Sequence, residues 1–115
     1  MPLHERAIPD LLFDGWRDLA FEPFRAGVEI HWICRGSEGE PSVALLKYAL
    51  GAGVPRHRHA GLETILVLDG AQSDERGSYP KGSFVFNPAG SEHSVWSDEG
   101  CVILIQWDKP VVFLE

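Results

Sequence analysis

The chain has 115 residues, 44% of them apolar, enough for one domain whose core needs no disulfide staples. Seventeen Asp and Glu against ten Lys and Arg leave a formal charge of −7, which argues against nucleic acid or an anionic membrane surface as the main partner. Cys34 and Cys101 make no framework, no basic-then-apolar leader opens the chain, and no apolar run approaches membrane-spanning length, so the expectation is a cytoplasmic protein with reduced thiols.

Pro9 and Gly15 limit any helix around Asp10-Leu11-Leu12-Phe13-Asp14 to about one turn. Residues 1–20 are therefore predicted as an arm, lying against the body of the domain or swapped onto a partner chain, with residues 21–115 as an all-β barrel. Twelve glycines and eight prolines punctuate the short apolar runs that follow. Val28 to Cys34 alternates, with Val28, Ile30, Trp32 and Cys34 on one face and Glu29 and His31 on the other. Ser37 to Pro41 supplies a turn, Val43 to Leu50 a second strand, and residues 54–59 a third. Glu63 to Leu68 reads as a fourth strand ending at Asp69-Gly70, a candidate turn. A polar hairpin around Glu75-Arg76-Gly77 leads to a strand at Ser83–Asn87, whose alternating Phe84 and Phe86 are expected to fill the barrel. Cys101 to Trp107 and Val111 to Leu114 complete the sheet, with Pro110 between them. Strands at roughly eight-to-twelve-residue spacing suggest a sandwich or barrel.

His57, His59, Glu63 and His93 are the chemically telling residues. Positions two apart on a strand project from the same face, so His57 and His59 aim at one point while Arg58 faces away. Glu63 returns after the Ala60-Gly61-Leu62 turn, and His93 follows the rigid Pro88-Ala89-Gly90 turn. Three imidazoles and one carboxylate from three segments leave coordination positions open, the mark of a working metal site. Nitrogen and oxygen donors without thiolate suit Zn, Fe(II), Mn, Ni or Co. We therefore expect one divalent ion.

The spacing Gly51, His57-x-His59, Glu63, Gly70, then Gly82, Pro88-x-Gly90, His93, resembles the two-motif signature of the cupin superfamily. The resemblance implies a single-domain jelly-roll barrel with those four residues as metal ligands. Ser97 stands where that signature usually ends in asparagine. A narrower likeness runs through Glu22-Pro23-Phe24-Arg25-Ala26-Gly27-Val28-Glu29-Ile30-His31-Trp32, Pro55 to His59, Ser73 to Gly82, Asn87 to His93 and Glu99-Gly100-Cys101. Together these are similar to the C-terminal cupin domain of ChrR-type anti-sigma factors. That family implies a zinc-binding cupin that takes part in sensing oxidative stress, beside a separate N-terminal domain that holds the sigma factor and has its own zinc site built from His and Cys. Cys34 and Cys101 cannot supply a His-x3-Cys-x2-Cys set, so the expectation is a cupin without the sigma-binding part.

The remaining candidates read more simply. His31 is expected on a strand face and His4 in a loose terminus, while Trp16, Trp32 and Trp107 are expected to pack core and arm, with Trp96 as a pocket wall. Arg56 and Arg58 read as solvated charges, Tyr48 as a hydroxyl inside the barrel or a packing residue, and Cys101 as a buried, inert thiol. Two functions follow. One is a module that binds a small molecule or senses an oxidant at the metal, paired as a homodimer, with zinc foremost and iron, manganese or nickel as alternatives. The other is a small metal-dependent enzyme, a dioxygenase or isomerase acting on a small oxygenated substrate, with Phe86, Trp96 and the strand around Ile103 as water-excluding walls.

Overall fold

The computed structural model describes residues 4–114; residues 1–3 of the predicted arm and residue 115 of the predicted barrel lie outside the described residues. Ten strands follow a one-turn 3-10 helix at Leu11–Phe13: β1 (Glu22–Arg25), β2 (Val28–Cys34), β3 (Ser42–Tyr48), β4 (Gly53–Arg58), β5 (Glu63–Asp74), β6 (Gly77–Pro80), β7 (Phe84–Asn87), β8 (Glu92–Trp96), β9 (Cys101–Trp107) and β10 (Val112–Phe113). All the strand pairings are antiparallel. The order is β1-β2-β3-β9-β5-β8-β4-β10, with β6 and β7 also paired to β5. The sheet is rolled so that its two ends meet: the Arg25 guanidinium on β1 lies 4.7 Å from the centre of the Phe113 ring on β10. Side chains, not backbone hydrogen bonds, bridge this seam of the all-β barrel.

Residue parity explains the interior. Cross-strand rows such as Ile30–Leu46–Ile103–Val67 and Trp32–Ala44–Ile105–Ile65–Val85 run across the sheet and meet in the main core. Each fully buried aliphatic side chain there contributes about 1.5–3 kcal/mol. A second cluster lies outside the barrel, where Trp16 packs on Leu45, Leu68 and Val102, with Leu11, Leu19 and Phe21 beside them. The N-terminal segment thus lies against its own chain. His31 pins it: Nδ1 donates to the Ala20 carbonyl at 2.7 Å, and Nε2 accepts from Arg6 at 2.7 Å. His31 is a strand-face residue, as its alternation predicts, and His4 is exposed.

Two sequence expectations are corrected. Asp69-Gly70 is no turn, because β5 continues through it for twelve residues to Asp74. Val67 faces Ile103 and Asp69 faces Val102, so β5 carries one extra residue, a bulge, at this point. The bulge changes which face each residue uses. Before it Ile65 and Val67 enter the core, while after it Gln72 lines the interior and Asp74 reaches His93. The same strand leaves one half of the barrel, where it pairs with β7 and β9, and joins the other, where it pairs with β6 and β8.

The second correction concerns β7. Phe84 and Phe86 are 64% and 56% exposed and do not fill the barrel. Glu63 pairs with Asn87, and that register points Val85 and Asn87 inward, leaving the phenylalanines on the outer face. Smaller differences fall at strand ends. The structure adds β1 and β8 to the predicted strands, and shortens the Val111–Leu114 prediction to Val112–Phe113. Among the described residues no helix is long and apolar enough to cross a membrane.

Candidate metal centre

The motif residues assemble as their spacing predicts. His57 lies near the end of β4, His59 just follows that strand, Glu63 opens β5 and His93 lies on β8 directly opposite His57. One donor atom from each of the four falls within 4.8 Å of all the others, and all four side chains are buried. The imidazole centroids stand 4.7–5.1 Å apart with interplanar angles of 72–89°. Three nearly perpendicular rings present their nitrogens to one point from three directions.

The hydrogen bonds decide which nitrogens face that point. His57 Nδ1 donates to the Pro55 carbonyl at 2.8 Å. His59 Nδ1 donates to the Ser91 carbonyl and hydroxyl, at 3.0 and 2.9 Å. His93 Nδ1 donates to Asp74 Oδ2 at 3.1 Å. Each anchored Nδ1 leaves Nε2 as the free lone pair, the tautomer a metal ligand requires. Burial pushes the His57 pKa down, so its imidazole is neutral at physiological pH.

The interior donors lack protein partners. His59 Nε2, Glu63 Oε2 and His93 Nε2 are buried without a hydrogen bond. His59 Nε2 and Glu63 Oε2 approach to 2.6 Å, and with the ring proton on Nδ1 neither atom has a hydrogen to donate to the other. Leaving three buried polar atoms unsatisfied would cost about 1–3 kcal/mol each. A cation among them removes that penalty, so the cluster is compatible with a divalent metal ion.

Asp74 is the residue the sequence reading missed. Burial raises its pKa, but hydrogen bonds from Tyr79, Arg76 and His93 outweigh burial and hold the carboxyl at about 2. Tyr79 donates at 2.7 Å and the Arg76 guanidinium at 3.0 Å, and Arg76 also reaches Asn87 Oδ1. Only the β5 bulge turns Asp74 to the same side as Glu63, eleven positions earlier. Arg56 pairs with Glu92 at 3.5 Å and Glu75 at 3.8 Å on the exposed side of β4, a solvated charge as expected.

A cavity of about 380 Å³ opens beside the cluster, and His57, Glu63 and His93 form part of its wall. The buried Leu46, Ile65, Val95 and Ile105 line it together with the half-buried Trp32 and Trp107. Phe86 and Trp96 do not line it. On β8 His93 and Val95 face inward, so Trp96, one residue further, takes the other face. Tyr48 does project inside, and its hydroxyl accepts from Gln72 Nε2 at 3.4 Å. Cys101 is buried and its thiol is pushed up to about 11, chiefly by desolvation, which leaves it a poor redox nucleophile. Ser97 is fully buried and donates to the Ala71 carbonyl at 2.6 Å, so serine secures the turn where asparagine is usual.

Comparison with known proteins places these features in context. The anti-sigma-E factor ChrR of Cereibacter sphaeroides is 36% identical over 77 residues, which are 65% of this chain and 36% of that protein. The crystal structure of Rhodobacter sphaeroides SigE in complex with the anti-sigma ChrR superposes with a TM-score of 0.70 at 30% identity, over 80% of this chain and 50% of the matched chain. An acetylacetone dioxygenase from Acinetobacter johnsonii gives a TM-score of 0.79 at 16% identity, over 100% of this chain and 80% of the other, a likeness of fold alone. This chain thus spans about a third of the length of the curated anti-sigma factor it matches. The family model described as the ChrR Cupin-like domain matches residues 15–109, and with the barrel and its buried cluster of three histidines and one glutamate behind that match, the chain belongs to the ChrR cupin-like family.

Proposed function

We propose that this protein is a metal-binding cupin module that holds one divalent ion, zinc foremost, through His57, His59, Glu63 and His93, and binds a small molecule or responds to an oxidant at that site. The observation that carries the reading is the set of orphaned buried donors converging beside a half-open, mostly apolar cavity. A bound ion would supply Lewis acidity at the cavity wall that His57, Glu63 and His93 form. The chain's own residues do the rest. Asp74, Pro55 and Ser91 orient the imidazoles, while Leu46, Ile65 and Ile105 keep bulk water away. His59 does not line the cavity, so a ligand meets the site from the side of His57, Glu63 and His93.

Binding rather than turnover is favoured by the sparse acid–base equipment of the cavity. Apart from the cluster, its ionisable wall residues are Tyr48, Arg25 and Arg35, and burial raises the Tyr48 pKa out of the catalytic range. Elemental analysis of protein purified without added metal should give one zinc per chain, with no oxygen uptake against diketones, thiols or phenols. Iron or manganese at that stoichiometry, with substrate-dependent uptake lost in His57→Ala, would instead establish a dioxygenase.

The module works in the cytoplasm as a homodimer, in this reading. Phe84 and Phe86 support it, since they expose two aromatic rings on β7, which pairs with β5 alone among the described strands. Light scattering should show a dimer for the native chain and a monomer for Phe84→Ser/Phe86→Ser. A native monomer, or a dimer in the double variant, would refute that surface.

A further inference from the structure

We propose that the cavity beside the cluster selects a small monocarboxylate with an apolar body, its carboxylate held at the barrel seam by Arg25. The inference rests on the small-molecule reading above and names the ligand class.

Charge placement carries the argument. The chain bears a formal −7, yet the two cationic side chains on the cavity wall are Arg25 and Arg35. Arg17, Arg56 and Arg76 each have a carboxylate within ion-pair distance, whereas Arg25 and Arg35 have none among the described residues. Both are oriented without being neutralised. Arg25 stacks over Phe113 and Arg35 over Trp32, each at 4.7 Å from the ring centre. A guanidinium held over a ring in this way has no carboxylate to saturate it and keeps N–H donors for a planar, bidentate acceptor. A carboxylate fits those donors in shape and charge.

The rest of the cavity fixes what the carboxylate must be attached to. Beyond the arginines the wall is largely aliphatic and aromatic, and at about 380 Å³ the space suits a small organic ligand. Apolar walls favour one charge on a greasy body and penalise a polyanion, whose further charges would be desolvated without partners. A cation would meet the two guanidiniums. Deeper inside, the Tyr48 hydroxyl accepts from Gln72, a role that leaves its own proton available to a ligand oxygen.

The test is calorimetric titration of the metal-quantified full chain with octanoate, 1-octanol and octylamine, which share one apolar body. Octanoate should bind about ten-fold tighter than 1-octanol or better, and octylamine weakest. R25Q should lose that preference while keeping 1-octanol affinity and metal content, and R35Q, at an exposed position toward the other end of β2, should keep most of it. Equal binding of acid and alcohol overturns the proposal, as does a preference that survives in R25Q. So does octanoate affinity that vanishes on chelation, since the acid would then be a metal ligand. Protein that carries no metal but still prefers octanoate refutes the metal reading and leaves this one standing.

Discussion

Glu63→Ala should strip the protein of its metal, while Glu92→Ala should leave metal content unchanged in elemental analysis after gel filtration. The two glutamates differ in surroundings rather than chemistry. Glu63 is buried, with one carboxylate oxygen within 4.8 Å of the three histidine donors and no protein partner. Glu92 is exposed and answers Arg56 on the outer face of β8. Asp74→Ala tests the next layer. Removing the acceptor for His93 Nδ1 frees the ring to rotate and lowers its basicity, and loss of such a partner weakens metal affinity by about 10–100-fold. With its carboxyl at about 2, Asp74 is ionised wherever the imidazoles are neutral enough to bind, so its support is constant across the working pH range. Its stabilising charge is complete above the unfolded aspartate value of about 3.9 and is lost as pH falls toward about 2. Equal metal content in Glu63→Ala and Glu92→Ala would show that the ligand had been misplaced.

Much of this centre was legible in the chain because its first requirement is local. His57 and His59 share a strand face, and Pro88-Ala89-Gly90 makes a rigid turn before His93, so spacing alone brings the donors into range. What escaped depends on register between distant strands. Phe84 and Phe86 alternate just as inward residues would, and periodicity does not say which face is the inner one. The pairing of Asn87 with Glu63 decides that, and it sends the rings outward. Trp96 was lost as a pocket wall for the same reason, one step of parity beyond Val95. Asp74 carried no signal at all, because a strand read to end at Leu68 leaves an acidic residue in a polar hairpin looking solvated. Arg25 and Phe113 were equally hidden, since they meet only when the two ends of the sheet are rolled together.

Gly70→Ala should be among the most damaging single-methyl changes available in this chain, lowering stability by about 3 kcal/mol or more and the melting temperature by roughly 12 °C or more. Two independent effects act at this position. Gly70 has a φ of +69°, which L residues adopt at a penalty of about 1–2 kcal/mol. An added Cβ would also sit 2.0 Å from the Gly100 carbonyl oxygen, on backbone that β9 holds in register. Gly82 separates the two effects. Its φ is +91°, but nothing lies within 4 Å of an added Cβ, so Gly82→Ala carries the conformational penalty alone. Thermal unfolding of both variants should therefore place Gly70→Ala well below Gly82→Ala, and equal losses would show that the bulge relaxes around the methyl group. The site should register the damage as well. Gly70 lies in the irregular stretch that sets whether Asp74 faces inward, so straightening β5 there would swing Asp74 away from His93. Folded Gly70→Ala should thus bind metal more weakly than Gly82→Ala, by a loss that approaches that of Asp74→Ala.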